Sequence, residues 1–216
     1  MSAVDQGRIG PLLGNDGAIQ PLRLARDGAL ASLDAHARYQ EAVLRGSVYY
    51  LATGAAAPTA FTGASGGTPL LGVYNPAGSG KALIFLVSSV HPTAVPTLAG
   101  VINPELWAGV SATITGTATA PTNMLSQITT GSSAKGFVNT AMTGSTAINL
   151  VSGLGSFWWA TAAAGAVMSS GIVNLDGIVV AIPGNLVALG IRTVPTSTTA
   201  DAFLIWEEVP YATTGG

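Results

Sequence analysis

After Gly46 the chain never sustains a helical pattern, and this limits its fold more than any other feature. Beyond that glycine it is a series of short runs rich in β-branched, aromatic and leucine residues. They are SVYYLAT (47–53), PLLGVY (69–74), KALIFLVSSV (81–90), GVSATITGTAT (109–119), KGFVNT (135–140), SFWWATA (156–162), GIVVAI (177–182), NLVALGI (185–191) and AFLIWEEV (202–209). Clusters of Gly, Pro, Asn, Ser and Thr separate them. In one run Val110, Ala112 and Ile114 alternate with Ser111, Thr113 and Thr115, as a half-buried strand requires. Pro183-Gly184 and Asp176-Gly177 read as turns. The pattern predicts an all-β body, a β-sandwich or jelly roll of about nine strands.

Charge divides the chain. Ten of its 18 charged residues lie in the first 45: Arg8, Arg23, Arg26, Arg38 and Arg45, with Asp5, Asp16, Asp27, Asp34 and Glu41. Gly10-Pro11, Gly14-Asn15, Asp16-Gly17 and Gln20-Pro21 punctuate residues 1–28, which predicts an extended arm. Residues 29–45 fit a short helix. Leu30, Leu33, Ala37 and Leu44 fall near one face, and Asp34/Arg38 and Glu41/Arg45 are spaced as acid-first ion pairs. Gly46 is a stop signal. The expected organisation is therefore an N-terminal arm with a helix over 1–45 and a β-sandwich body over 46–216.

The body's 171 residues share only eight charges, and the whole chain is 8% charged, against about 25% in an ordinary soluble domain. A net charge of −2 argues against a large nucleic-acid surface. Mean hydropathy is +0.49, which raises the question of a membrane. The most apolar stretch, Gly153 to Met168, is 16 residues long and holds Ser156 and Thr161, whereas a spanning helix needs about 20 mostly apolar residues. The opening MSAVDQGRIG has neither the cationic stretch nor the apolar core of a signal peptide, so no export signal is expected. Cysteine is absent, which excludes disulfides and thiolate metal sites.

Three stretches resemble catalytic motifs. Asn75-Pro76-Ala77-Gly78-Ser79-Gly80-Lys81-Ala82 has the Gly-Lys of a phosphate-binding loop. Asn75 stands at the first glycine position, however, and Ala82 where a Ser or Thr would hold magnesium. A strand-type run comes next, not the helix whose N-terminus holds the phosphate. The stretch therefore reads as a turn, with Lys81 at a solvent-facing strand start. Gly63-Ala64-Ser65-Gly66-Gly67 matches the nucleophile elbow of hydrolases, yet no histidine follows His91. Ser132-Ser133-Ala134-Lys135 matches Ser-x-x-Lys without its partner motifs. The lone histidines, His36 and His91, have no second ligand at metal spacing. Glu207 and Glu208 are adjacent, so on a strand they point to opposite faces and cannot share a substrate. We expect no catalytic residues, no cofactor and no metal.

Four tryptophans remain. Trp107, Trp158, Trp159 and Trp206 suit a core or a subunit interface. Phe157 and Trp159 would share one face of their strand and Trp158 the other, so one face meets something besides its own core. A surface of Ala, Gly, Ser and Thr with few charges is poorly protected against association, and it suits packing against other subunits.

Three runs give the chain a likeness: HARYQEAVLRGSVYYLAT (36–53), GVYNPAGSGKALIFL (72–86) and LIWEEVP (204–210). In these it resembles small virion structural proteins of tailed bacteriophages, of the head-decoration or cement type. The resemblance implies a sandwich or jelly-roll body, an arm that grips the capsid lattice, homo-oligomeric and most often trimeric assembly, and no catalysis. The major capsid protein or another virion protein would be the partner, at the capsid surface of the virion, with no specific nucleic acid and no membrane. On this expectation Arg8, Arg23 and Arg26 of the arm meet the shell, and Trp158 and Trp159 lie at an interface. A second expectation, from a different class, is a fibre, tail or adhesin-like β domain that stacks host glycans on Trp158 and Trp159.

Overall fold

The computed structural model describes residues 39–54, 68–94, 100–102, 104–111, 116–125, 131–140, 145–151, 157–159, 171–192 and 199–211. The chain divides into two units, Met1–Glu41 and Ala42–Gly216. Of the first, only residues 39–41 are described.

Helix α1 covers Gln40–Leu44; the remainder of the expected helix, 29–38, and the arm lie outside the described residues. The stop at Gly46 has the predicted form. Gly46 takes a positive φ of 68°, which glycine adopts without steric cost. Its N–H donates to the Val43 carbonyl and the Ser47 N–H to the Ala42 carbonyl, satisfying two carbonyls at the helix end.

The strands are β1 (Val48–Ala52), β2 (Leu71–Tyr74), β3 (Lys81–Ala94), β4 (Gly100–Ile102), β5 (Pro104–Ser111), β6 (Thr122–Asn123), β7 (Lys135–Val138), β8 (Ser145–Val151), β9 (Phe157–Trp159), β10 (Gly171–Ala181), β11 (Asn185–Ile191) and β12 (Thr199–Pro210). The described residues thus hold twelve strands in place of about nine. The fold is an all-β sandwich of two antiparallel five-stranded sheets. Sheet 1 runs β10-β3-β12-β1-β6 and sheet 2 runs β7-β2-β11-β5-β8; β4 and β9 form a separate pair.

Pairing is nested from the two ends of the body. β1 pairs with β12, β2 with β11, β3 with β10 and β5 with β8. These pairs fall alternately in sheet 1 and sheet 2. The paired strands form a nested antiparallel series. The pairs β3·β12 and β5·β11 join its members within each sheet.

The core lies between the sheets. Leu83, Phe85, Leu204 and Trp206 from sheet 1 meet Leu71, Val73, Val187 and Leu189 from sheet 2. Trp206 is fully buried; its ring stacks with Tyr49 at 6.5 Å and tilts against Phe85 at 6.0 Å. A smaller cluster of Trp107, Leu186 and Ala188, with Tyr74, lies apart from it. β11 alternates between the two clusters, so nearly every residue of NLVALGI is buried.

Two expectations are overturned, and β3 carries an irregularity. The run 109–119 was expected to be one strand, but β5 begins at Pro104 and ends at Ser111. Beyond the undescribed 112–115, Thr119 makes only an isolated bridge to Gly136. A proline is tolerated at the first position of a strand, where its missing N–H costs least. In β3, Leu86 is an extra residue opposite β12, β10 sets residues 175–178 against it, and the irregularity reverses the alternation. Leu83 and Phe85 face the core before it, and Ser88 and Val90 are buried after it. Asp176-Gly177 is not a turn between strands. It is the tip of a bulge inside β10, with φ of 49° and 80°.

Candidate functional site

The motif that resembles a phosphate loop is a corner between the sheets. It leaves β2 in sheet 2 and enters β3 in sheet 1. Asn75, at the position where a phosphate loop needs glycine, is completely buried. Its Nδ2 donates to the carbonyls of Lys81 and Ala181, both at 2.8 Å. Only an NH₂ group can serve two carbonyls at once, which fixes the amide's orientation. The Asn75 N–H donates to the Asn185 carbonyl, and the Gly184 N–H donates to the Asn75 carbonyl. The predicted turn at Pro183-Gly184 is the second crossing between sheets, from β10 to β11, and Gly184 has a φ of 91°. Asn75 therefore ties the two crossings together.

Lys81 does not simply face solvent, as the sequence suggested. Its Nζ lies 3.1 Å from Glu208 Oε2, with the lysine side chain 41% exposed and the glutamate side chain fully buried. Glu208 sits on the core side of β12, in line with Ala202, Leu204 and Trp206. Glu207 beside it is half-buried on the other side, as the strand period requires. The Ser-x-x-Lys stretch closes over the buried carboxylate. Ser132 Oγ donates to Oε1, the Ser133 N–H donates to Oε1 at 3.0 Å, and Ser133 Oγ donates to Oε2 at 2.9 Å. Burial pushes the Glu208 carboxyl up, but the hydrogen bonds from Ser132, Ser133 and Lys81 together outweigh it and hold it below its ordinary value. These contacts pin Ser132 and Ser133 to the buried carboxylate.

A second ion pair repeats the theme. Arg192 Nε lies 2.9 Å from Oε1 of the buried Glu105. Two of the body's three cations are thus held by buried acids. Among the described residues no three of His, Asp and Glu are grouped to hold a metal ion. No helix among them is long and apolar enough to cross a membrane.

The outer side of sheet 1 carries an open groove of about 630 Å³, lined by Tyr50, Ala52, Thr122, Met124, Phe203 and Ile205, with Asn123. Its lining is mostly apolar. The Asn123 amide is engaged within the protein, donating to the Gly46 carbonyl and accepting from the Leu125 N–H.

Of the residues expected at an interface, Trp158 and Trp159 lie in β9, where Trp158 pairs with Val101 and Trp159 with Gly100. Arg8, Arg23 and Arg26, with His36 and the Gly63–Gly67 motif, fall outside the described residues. Trp107 and Trp206 are buried, as core tryptophans should be. Sequence reasoning missed the groove, since it is assembled from β1, β6 and β12, and the only local signal was Phe203 and Ile205 on the side of their strand opposite Leu204.

No family model, no curated protein and no solved structure matches this chain.

Proposed function

We propose that this chain is a non-enzymatic virion structural protein, a capsid decoration or cement protein of a tailed bacteriophage that binds the assembled shell and stiffens it. The observation that carries this reading is the rolled pairing of β1 with β12, β2 with β11, β3 with β10 and β5 with β8. We read it as a jelly roll, an arrangement used by viral capsid domains and also by lectins and cupins. A fold alone does not fix a function, so the site has to separate these uses.

Two features favour a building element. The polar residues that looked chemical (Asn75, Lys81, Ser132, Ser133 and Glu208) are bonded to one another or to the backbone and hold the sandwich together. The groove offers apolar side chains and an asparagine whose amide is already engaged, which gives little for sugar hydroxyls to bond. In the proposed mechanism the charged arm, with Arg8, Arg23 and Arg26, docks on the shell, and the body assembles as a homo-oligomer, a trimer on the strength of the resemblance.

The test is co-sedimentation with undecorated capsids of the phage whose genome carries this sequence. The full-length chain should pellet with them, and a chain lacking residues 1–28 should not. Equal binding by both would remove the arm's role, and no binding by either would remove the reading.

A further inference from the structure

One buried carboxylate gathers four donors. Ser132 Oγ and the Ser133 N–H donate to Glu208 Oε1, and Ser133 Oγ and Lys81 Nζ donate to Oε2. The Ser133 N–H also reaches Oε2, at 3.2 Å. Lys81 belongs to sheet 1, as Glu208 does, whereas Ser132 and Ser133 lead into β7 of sheet 2. The carboxylate therefore ties a segment of one sheet to the other.

This segment has little else to hold it. Among the described residues no backbone–backbone hydrogen bond reaches Ser132 or Ser133. Gly131 is exposed, and a Cβ there would meet nothing within 4 Å. Packing resumes at Ala134, which joins the core, and β7 is then paired with β2. The Ala134 N–H donates to Ser132 Oγ at 3.0 Å, so the shape of the segment follows the serine that Glu208 holds.

The chemistry of these partners makes the contact sensitive to one proton. An ionised carboxylate only accepts, and every partner here donates. Protonation puts an O–H among them. The serine hydroxyls can rotate and accept, but the Ser133 N–H and the Lys81 ammonium can only donate. The bonds that remain are made to a neutral group and are weaker. Of the titratable groups around Glu208, β3 turns Lys81 toward it, and β1 brings the phenol of Tyr49 to the same side of the sheet. On β12 itself Glu207 points the other way, and Lys135, at the start of β7, is exposed.

We propose that residues 131–133 form a strap latched by ionised Glu208, which acid releases while both sheets stay folded. The hydrogen bonds hold this carboxyl below its ordinary value of 4.5, so the latch is shut at neutral pH and opens as pH falls through the lower, folded value. The opening is local, confined to one weakly held segment of a native structure. It goes beyond the function proposed above and does not depend on capsid binding.

Amide hydrogen exchange of the full-length protein, followed by NMR from neutral pH to about pH 3, tests it. The Ser133 and Ala134 amide signals should titrate with the Glu208 carboxyl. Corrected for the intrinsic rate, their protection should fall about tenfold or more, while amides of β11 and β12 keep theirs. Glu208→Gln should show the open pattern already at neutral pH and no further response to acid. Ser133 protection that is constant across the range, or that is lost only together with β11 and β12, would overturn the proposal. So would a folded Glu208→Gln that keeps wild-type protection at neutral pH. Should that variant fail to fold, the wild-type titration decides alone.

Discussion

Lys81 Nζ lies 3.1 Å from Glu208 Oε2, joining the first residue of β3 to the one charged residue on the core side of β12. With Ser132 and Ser133 on the same carboxylate, Glu208 fixes three separate segments. Glu208→Gln keeps the shape and removes the charge from these bonds, and we expect a loss of about 1–3 kcal/mol in urea unfolding. Lys81→Ala should cost under about 1 kcal/mol, since the lysine is partly exposed and the pair is screened by water. A larger loss for Lys81→Ala than for Glu208→Gln would show that the serines are not the principal partners.

The same carboxylate gives the protein an acid-sensitive contribution. Held below its ordinary value of 4.5, Glu208 binds a proton less readily in the folded than in the unfolded chain. Its contribution is complete above the unfolded value and is lost as pH falls through the folded one. Wild type should therefore exceed Glu208→Gln in stability at neutral pH, and the difference should shrink on acidification below pH 4.5. Urea titrations of both proteins across this range check it; a constant difference would contradict it.

Asn75 should be intolerant of its nearest relatives. Asn75→Ala leaves the carbonyls of Lys81 and Ala181 without their buried donor, a loss of about 1–3 kcal/mol. Asn75→Asp is nearly the same shape but sets an anion against two carbonyl oxygens. It should be worse than alanine at neutral pH and recover in acid, where a protonated carboxyl can donate. Chemical denaturation at two pH values measures both effects.

Gly136 in β7 has no room for a side chain. A Cβ there would lie 2.6 Å from the Thr119 carbonyl oxygen and 2.8 Å from Leu51 Cδ1. The Thr119 backbone cannot yield without breaking its bridge to Gly136. Gly136→Ala should cost about 1–3 kcal/mol by overpacking. Gly78→Ala, with nothing within 4 Å, should change stability by less than about 0.5 kcal/mol. Thermal melts of the two variants make the comparison.

Legibility in the sequence tracked the range of the interactions. The runs that became β1, β2, β7, β11 and β12 were readable because β-formers are bounded by turn residues within a few positions. β6 and β8 were not, because Thr122-Asn123 and STAINLV mix small and polar residues and are strands through their neighbours, Tyr49–Tyr50 and Trp107–Val110. β3 departs from simple alternation at Leu86, which has no partner in β12 and faces the bulge of β10, and neither is visible in its own sequence. Of the candidate site, the opposite facing of Glu207 and Glu208 came from the strand period alone, whereas the hold of Ser132 and Ser133 on Glu208 did not.

By itself the sequence determined an all-β body, the helix stop at Gly46, the turn at Pro183-Gly184 and the scarcity of charge. These depend on φ preferences, side-chain shape and composition, which act within a few residues. Only the tertiary structure decided that Asn75 bonds Ala181, 106 residues away, and that Lys81 meets Glu208, 127 residues away. Such partners come together when the strands pair and the two sheets pack. The motif that resembled a phosphate loop therefore became the corner that holds the two sheets together.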